Sequence, residues 1–320
     1  MTLSSPLISI IIPIFNRESI VKKTLDTIVA QTYTNWECII IDDGSTDHTK
    51  QTMETYLQTD SRFKYFDRPN HLVRGANSCR NYGFTLAKGD YINWFDSDDI
   101  MQPNFLEEKV KAFQTNTDAV LHRNNYANYQ ITEYRTSKFD YNNERNLFYN
   151  YAMEAIEIQT CGFLWKRSFL EGKLLFDETI QRYQDNEFHI RMLALKPNIK
   201  VLDIVLATIR SGDGDKSQIS SKTNITKKKL YDIFYYRYQC LKLASNKDLN
   251  VDTHFNKVIA KKAIWAFYAG LRFESKLLKR LTDVFKYYKK LRFVYSNNEI
   301  SSFDIFKSNI YILKIIFFRK

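Results

Sequence analysis

Leu7-Ile-Ser-Ile-Ile-Ile-Pro-Ile14 is the stretch that decides the fold. Its apolar residues run on without the polar alternation of a half-buried strand. A short continuous apolar run is what a strand covered on both faces requires. The next residues change period: Glu18–Gln31 puts Ile20, Leu25, Ile28 and Val29 on one side, as a helix would. Trp36-Glu-Cys-Ile-Ile-Ile41 then repeats the first pattern, and a helix is expected near Thr49–Leu57, with Ser45 or Thr46 as its cap. Phe63–Phe66 reads as a short strand, Gly75–Ala87 as a helix stopped at Gly89, and Tyr91–Phe95 as a further buried strand. Pro103 opens another helix through Phe113. Strands alternating with helices imply βαβ units and a mostly parallel sheet flanked by helices.

Such sheets bind ligands beyond the carboxyl ends of their strands. The loops after Ile14, Ile41 and Phe95 therefore share one edge. They carry Asn16 and Arg17, Asp42 and Asp43, and Asp96-Ser97-Asp98-Asp99. Carboxylates in close array repel unless a cation or a set of donors lies among them. Oxygen-only ligands favour Mg²⁺ or Mn²⁺, which commonly bridge to phosphate. Acidic residues also cap helices, so the cluster alone fits either a metal site or a capped turn.

Beyond residue 118 the pattern is looser. Ala119–His122 and Val201–Ile209 read as strands, Gly162–Leu170 as a strand running into a turn, and Gln184–Leu195 as a helix. Arg210–Ser221 is a polar loop. Four helices are then expected: Lys227–Leu243, Thr253–Arg272, Lys276–Val294 and Phe303–Phe318. The net charge of +11 is concentrated there. Residues 221–320 hold 22 Lys+Arg against 7 Asp+Glu, or +15, and residues 1–220 hold 25 against 29, or −4. Basic helices rich in Phe, Tyr, Leu and Ile suit an anionic membrane surface. No motif of a nucleic-acid-binding module accompanies the charge. The four cysteines are scattered, as in a reducing compartment. Leu7–Ile14 lacks a signal peptide's basic flank, and no apolar stretch is long enough to span a bilayer. A cytoplasmic chain, peripheral at most to the inner face of the cell membrane, is expected.

Four strings stand in order: Ser9-Ile-Ile-Ile-Pro-Ile-Phe-Asn16, Ile41-Asp-Asp-Gly-Ser-Thr-Asp47, Cys79-Arg-Asn-Tyr-Gly83 and Phe95-Asp-Ser-Asp-Asp99. Together they resemble the family 2 glycosyltransferases, inverting enzymes of GT-A fold that use nucleotide-sugar donors. The resemblance covers about residues 6–115 closely and 118–220 loosely. It implies a catalytic domain over residues 1–220, with a nucleotide-binding half (1–115) and an acceptor half (116–220), and a separate helical C-terminal region (221–320). Pro13 and Phe15 would line the base pocket. Asp43, with Asp42, would accept from base or ribose. Arg80 would lie near the nucleotide and Asp96 toward the ribose. Asp98 would hold the metal, and Asp99 would cap the following helix.

The resemblance also implies a general base at the head of a helix after the central region. Arg182-Tyr-Gln-Asp185-Asn-Glu187-Phe188-His189 matches, with Gln184 in place of the usual Glu. Asp185 is the expected base and Glu187 the second choice. The loop Arg210-Ser-Gly-Asp-Gly-Asp-Lys-Ser217 resembles the family's lid over the donor phosphates but has no His. Arg210 or Lys216 would take that place.

The expected reaction moves a hexosyl or N-acetylhexosaminyl group from a nucleotide-sugar, a UDP-sugar above others, to a hydroxyl of a glycan or lipid-linked acceptor. Its setting would be surface polysaccharide or lipopolysaccharide synthesis. A silent nucleotide-sugar-binding or membrane scaffold protein is the rival from another class, and retention of both Asp98 and Asp185 argues against it. A metal-dependent nucleotidyltransferase is the other rival. It would need a phosphate loop after the first strand, and Pro13-Ile-Phe-Asn16 is not one.

Overall fold

The structure, a computed structural model, describes residues 5–128, 132–139, 146–210 and 225–296. The elements run β1 (Ile8–Ile14), α1 (Val21–Val29), β2 (Trp36–Asp42), α2 (Thr49–Thr59), β3 (Phe63–Asp67), α3 (Ala76–Leu86), β4 (Tyr91–Trp94), β5 (Ile100–Met101), α4 (Phe105–Ala112), β6 (Ala119–Ala127), β7 (Tyr134–Thr136), α5 (Leu147–Ala152), β8 (Phe163–Lys166), α6 (Arg167–Leu170), α7 (Gln184–Ala194), β9 (Ile199–Arg210), α8 (Lys227–Ala244), α9 (Thr253–Arg272) and α10 (Leu277–Ser296). They form two compact units. Among the described residues, the first comprises 5–128, 132–139, 158–178 and 196–210, and the second 146–157, 179–195 and 225–296.

The first unit is built on one sheet of order β3-β2-β1-β4-β8-β6-β9-β5, with β7 beside β6. β1 pairs in parallel with β2 and β4, and β2 with β3. β8 joins antiparallel to β4 and β6, so the sheet becomes mixed beyond the first four strands. Every residue of β1 and β2 is buried. Ile8, Ile10, Ile12 and Ile14 pack with Val21, Leu25 and Ile28 of α1. Ile11 faces the other way, toward α3. A Cβ on Gly83 would sit 2.4 Å from Ile11 Cγ2, which explains a glycine inside that helix. Coverage on both faces is why β1 tolerates no polar alternation. Pro13 has no N–H to give, and the β1–β4 register ends at Ile11, before the proline is reached.

The second unit is helical. Thr226 caps α8 by accepting from Lys229 N, and Asp252 caps α9 by accepting from Phe255 N. Tyr231, Phe234, Phe267 and Tyr287 form a ring cluster between α8, α9 and α10, with centroids 4.7 to 6.1 Å apart. Tyr231 also packs where a Cβ on Gly270 would stand, 2.5 Å from its ring. Aromatic contacts here take the place of the branched aliphatic core of the sheet.

Several elements differ from the sequence reading, α5 among them. β6 extends to Ala127 because its continuation pairs with β9 through a register shift. β5 and β7 are too short to leave a periodic signal. Asp99 caps nothing: α4 starts at Phe105, and the Asp99 carboxylate instead accepts Arg210 N at 3.1 Å. All four cysteines are buried free thiols. Among the described residues, no helix is long and apolar enough to cross a membrane. The expected helix Phe303–Phe318 and the loop segment 211–221, with Gly212, Gly214 and Lys216, lie outside the described residues.

Candidate active site

The carboxyl ends of β1, β2 and β4 are stitched into one edge by side chains. Asn16, at φ 50°, donates its backbone N–H to Ser45 Oγ (2.9 Å) and accepts Thr46 N at its side-chain oxygen (2.8 Å). Arg17 N donates to Thr49 Oγ1 at 2.8 Å. Asp47 accepts from Thr49 N and Glu18 N, so it is a turn residue, and no hydroxyl caps α2. The loop after β1 is thereby fixed on the loop after β2.

Phe15 projects from the end of β1 and is 40% exposed. The guanidinium of Arg74 stands over its ring at 4.7 Å and 3.9 Å from Asp43 Oδ2. Asp43 is anchored through Oδ1, which accepts Arg68 Nε at 2.6 Å and Gly75 N at 3.1 Å. Gly75 sits at φ 139°, a region few side-chain-bearing residues enter, and this aims its N–H at the carboxylate. Asp42, expected beside Asp43 as an acceptor for base or ribose, accepts Ser45 N at Oδ1 (2.7 Å) and the Tyr65 hydroxyl at Oδ2. Pro13 is buried within β1.

Arg80 lies buried on α3. It donates to Asn77 Oδ1 at 3.1 Å and to Asp96 Oδ1 at 2.8 Å, and its guanidinium packs 5.2 Å from the Phe176 ring. Asp96 remains about one-third exposed beyond that contact. Asp98 is 4.0 Å from Arg17. Its carboxyl is pushed up to about 6, first by burial and then by the negative charge of Asp96, against the pull of Arg17. Asp99 is raised well above the usual carboxylate range, again by burial first and then by Asp98 and Asp96. Arg210 ends β9 beside this cluster and pulls both pKa values down. Among the described residues, no group of three or more His, Cys, Asp or Glu gathers as a metal cage.

In the second unit, Asp185 lies in the first turn of α7 and accepts Asn186 N at 2.9 Å. The residue before the helix, Tyr183, is left-handed at φ 61°. Asp232 of α8 holds that turn by accepting Gln181 N at 2.8 Å and Arg182 N at 3.2 Å. Glu187 is buried and bound to Arg191 through both oxygens, at 2.7 and 2.8 Å. That ion pair fixes it as a structural residue of the helix. His189 meets the Tyr151 hydroxyl at 3.4 Å.

Sequence reading passed over Arg68, Arg74 and Asp232. For the arginines a signal existed: a carboxylate at a buried strand end needs a cation, and Arg68 and Arg74 flank the β3–α3 connection. For Asp232 there was none, since it lies some fifty residues from the turn that it holds.

A sequence profile described as Glycosyl transferase family 2 matches residues 9–171, just over half of the 320-residue chain. The chain belongs to glycosyl transferase family 2. EpsJ of Bacillus subtilis, an uncharacterized glycosyltransferase, is 26% identical to this family 2 chain over 264 residues, covering 77% of it and 74% of EpsJ. The glycosyltransferase GlyG of Streptococcus pneumoniae is 37% identical over 129 residues, 40% of this chain and 42% of GlyG. An uncharacterized glycosyltransferase of Rickettsia felis matches at 28% over 60% of the chain, which spans only 32% of that relative. Among solved structures, S. aureus TarS 1–349 in complex with UDP-GlcNAc superposes with a TM-score of 0.71 at 17% identity, over 97% of this chain and 89% of that one. The mannosyltransferase PcManGT of Pyrobaculum calidifontis, solved with GDP-Man and Mn²⁺, gives 0.55 at 14% identity, over 98% of this chain and 86% of that one. At such identities the likeness carries the fold, which is of GT-A type.

Proposed function

We propose that this family 2 chain transfers a sugar, with inversion, from a nucleotide-sugar to a hydroxyl of a glycan or lipid-linked acceptor in surface polysaccharide synthesis. One observation carries the reading. Phe15, Asp43 and the pair Asp96 and Asp98 come from the three segments after β1, β2 and β4 and share one sheet edge with Arg80 of α3, held there by Arg68, Gly75, Asn77 and Arg17. A ring face next to an anchored carboxylate suits a nucleobase and its ribose. The TarS complex with UDP-GlcNAc supports a UDP-sugar as donor.

Asp96 and Asp98 offer oxygen donors only, and burial, joined by the negative charge of Asp96, raises the pKa of Asp98. That donor set fits Mn²⁺ or Mg²⁺, whose shell diphosphate and water would complete. When bound, the ion supplies positive charge to the departing diphosphate. Arg17 and Arg210 add fixed positive charge near these carboxylates, and Arg80 keeps Asp96 oriented. Asp185 takes the acceptor proton, as its motif implies. On this reading residues 1–115 bind donor and 116–220 serve the acceptor. The positive charge of residues 221–320 fits peripheral association with the inner membrane face, where lipid-linked acceptors are presented.

Donor binding and hydrolysis across UDP-, GDP- and dTDP-sugars with Mn²⁺ test the assignment. One donor class should bind and turn over. Failure of every donor to bind would remove the reading.

A further inference from the structure

The second unit carries a large apolar surface that none of the roles above uses. Helical geometry divides α10 into three stripes. Arg280, Leu291 and Val294 are buried on the inward stripe, with Tyr287 in the ring cluster. Leu277, Leu278, Leu281, Phe285 and Tyr288 fall on a second stripe. Leu278 and Phe285 are each 78% exposed, and Tyr288 is 53% exposed. Lys279, Lys286 and Lys289 form the third, exposed stripe, and Arg292 is exposed at the end of the apolar one. The only carboxylate of the helix, Asp283, is taken up by Lys227 at 2.6 Å and by the Tyr231 hydroxyl at 3.0 Å.

One apolar stripe is enough to seat a helix on its neighbours. A second one, exposed and free of acidic groups, calls for a partner. We propose that this face of α10 lies on an anionic phospholipid bilayer. Leu278, Phe285 and Tyr288 enter the boundary between headgroups and acyl chains. Lys279, Lys286, Lys289 and Arg292 meet lipid phosphates beside them. Charge selects this occupant. Two-fold pairing of two copies through the same face would set one lysine row near the other with no carboxylate between. A nucleic acid would answer the lysines but leave the leucines and Phe285 unmatched. The inference gives the proposed membrane association a surface, and it holds whether or not the transferase assignment does.

The full chain is tested by co-sedimentation with phosphatidylcholine vesicles, with and without about 30 mol% phosphatidylglycerol. Wild type should partition onto the anionic vesicles only. Leu278→Glu with Phe285→Glu should lower partitioning about tenfold or more, since both side chains then resist the interface. Lys279→Ser, Lys286→Ser and Lys289→Ser should each lower it about fivefold and leave binding to neutral vesicles unchanged. Circular dichroism and donor affinity should match wild type in every variant, because these side chains are solvated in the fold. The proposal is overturned if wild type ignores anionic vesicles, or if the Leu278→Glu/Phe285→Glu variant binds them as wild type does. It is equally overturned if light scattering without lipid shows a dimer that this double variant dissociates.

Discussion

The two ends of the parallel part of the β-sheet treat their carboxylates in opposite ways. At the amino end, Glu37 is buried, and the protein satisfies it. Oε1 accepts from the Ser9 hydroxyl at 2.7 Å and Lys88 N at 2.6 Å, and Oε2 pairs with Lys64 at 2.5 Å. Burial opposes its charge, but Lys64, Ser9 and the Lys88 N–H outweigh burial and hold the carboxyl below its usual range. At the carboxyl end, Asp98 is opposed by burial and by Asp96 together, and Arg17 at 4.0 Å only partly offsets them. A carboxylate completed by protein donors is part of the scaffold. One left opposed by another carboxylate retains capacity for a cation or a ligand.

The largest effect that can break this contrast is on turnover. Asp98→Ala should cut transfer by roughly 1,000-fold or more, while the unfolding free energy without metal stays within about 1 kcal/mol of wild type. A large loss of stability would make Asp98 scaffold like Glu37. Asp185→Asn should lower transfer by about 100- to 10,000-fold and leave donor affinity unchanged by calorimetry. Full residual transfer would move the base elsewhere.

Glu37→Gln should behave in the reverse manner. It leaves Lys64 and two further donors without their anion, costs about 2–3 kcal/mol in urea melts, and spares donor affinity. Its contribution has a defined pH sense. The folded pKa lies below the unfolded one, so the stabilisation is present above about pH 4.5 and is lost as pH falls through the folded value. The acid limb of the wild-type stability profile should therefore flatten in Glu37→Gln.

The last test concerns a buried charge of a third kind, read as a slope of stability with pH. Lys109 is fully buried, donates to the Cys161 carbonyl at 3.0 Å and packs 3.9 Å from the Phe105 ring centroid, but no carboxylate pairs with it among the described residues. Burial pushes it down to about 7 from 10.5. The unfolded chain binds the proton more tightly, so stability should rise from about pH 7 to about 10.5, by up to about 1.4 kcal/mol per pH unit. Lys109→Met should abolish that rise in thermal melts taken across the range.

Much of the first unit was legible because its signals are local. A buried parallel strand needs an unbroken apolar run, and Leu7–Ile14 and Trp36–Ile41 have one. Asp96–Asp99 and Asp42-Asp43 were legible as a site because βαβ topology sends those loops to one edge. The irregular stretch 118–220, and the short β5 before it, were harder. β5, of two residues, exists only because it finds β9, and β7 only because it finds β6. Neither has enough residues for a period.

The sequence by itself determined which strands are buried on both faces, which loops share an edge, which family the chain resembles and where its positive charge lies. These follow from periodicity, composition and short motifs, all of which act over a few residues. Tertiary structure alone decided the duties of individual carboxylates. Asp43 is anchored by Arg68, Asp42 is closed off by Ser45 and Tyr65, and Asp99 joins β9 where a helix cap was expected. Glu187 is spent on Arg191, and Asp232 reaches back to the turn before α7. Tertiary structure also decided that Leu278 and Phe285 face solvent. Hydrogen-bond partners and burial depend on which distant segments meet, and that is set by the fold as a whole.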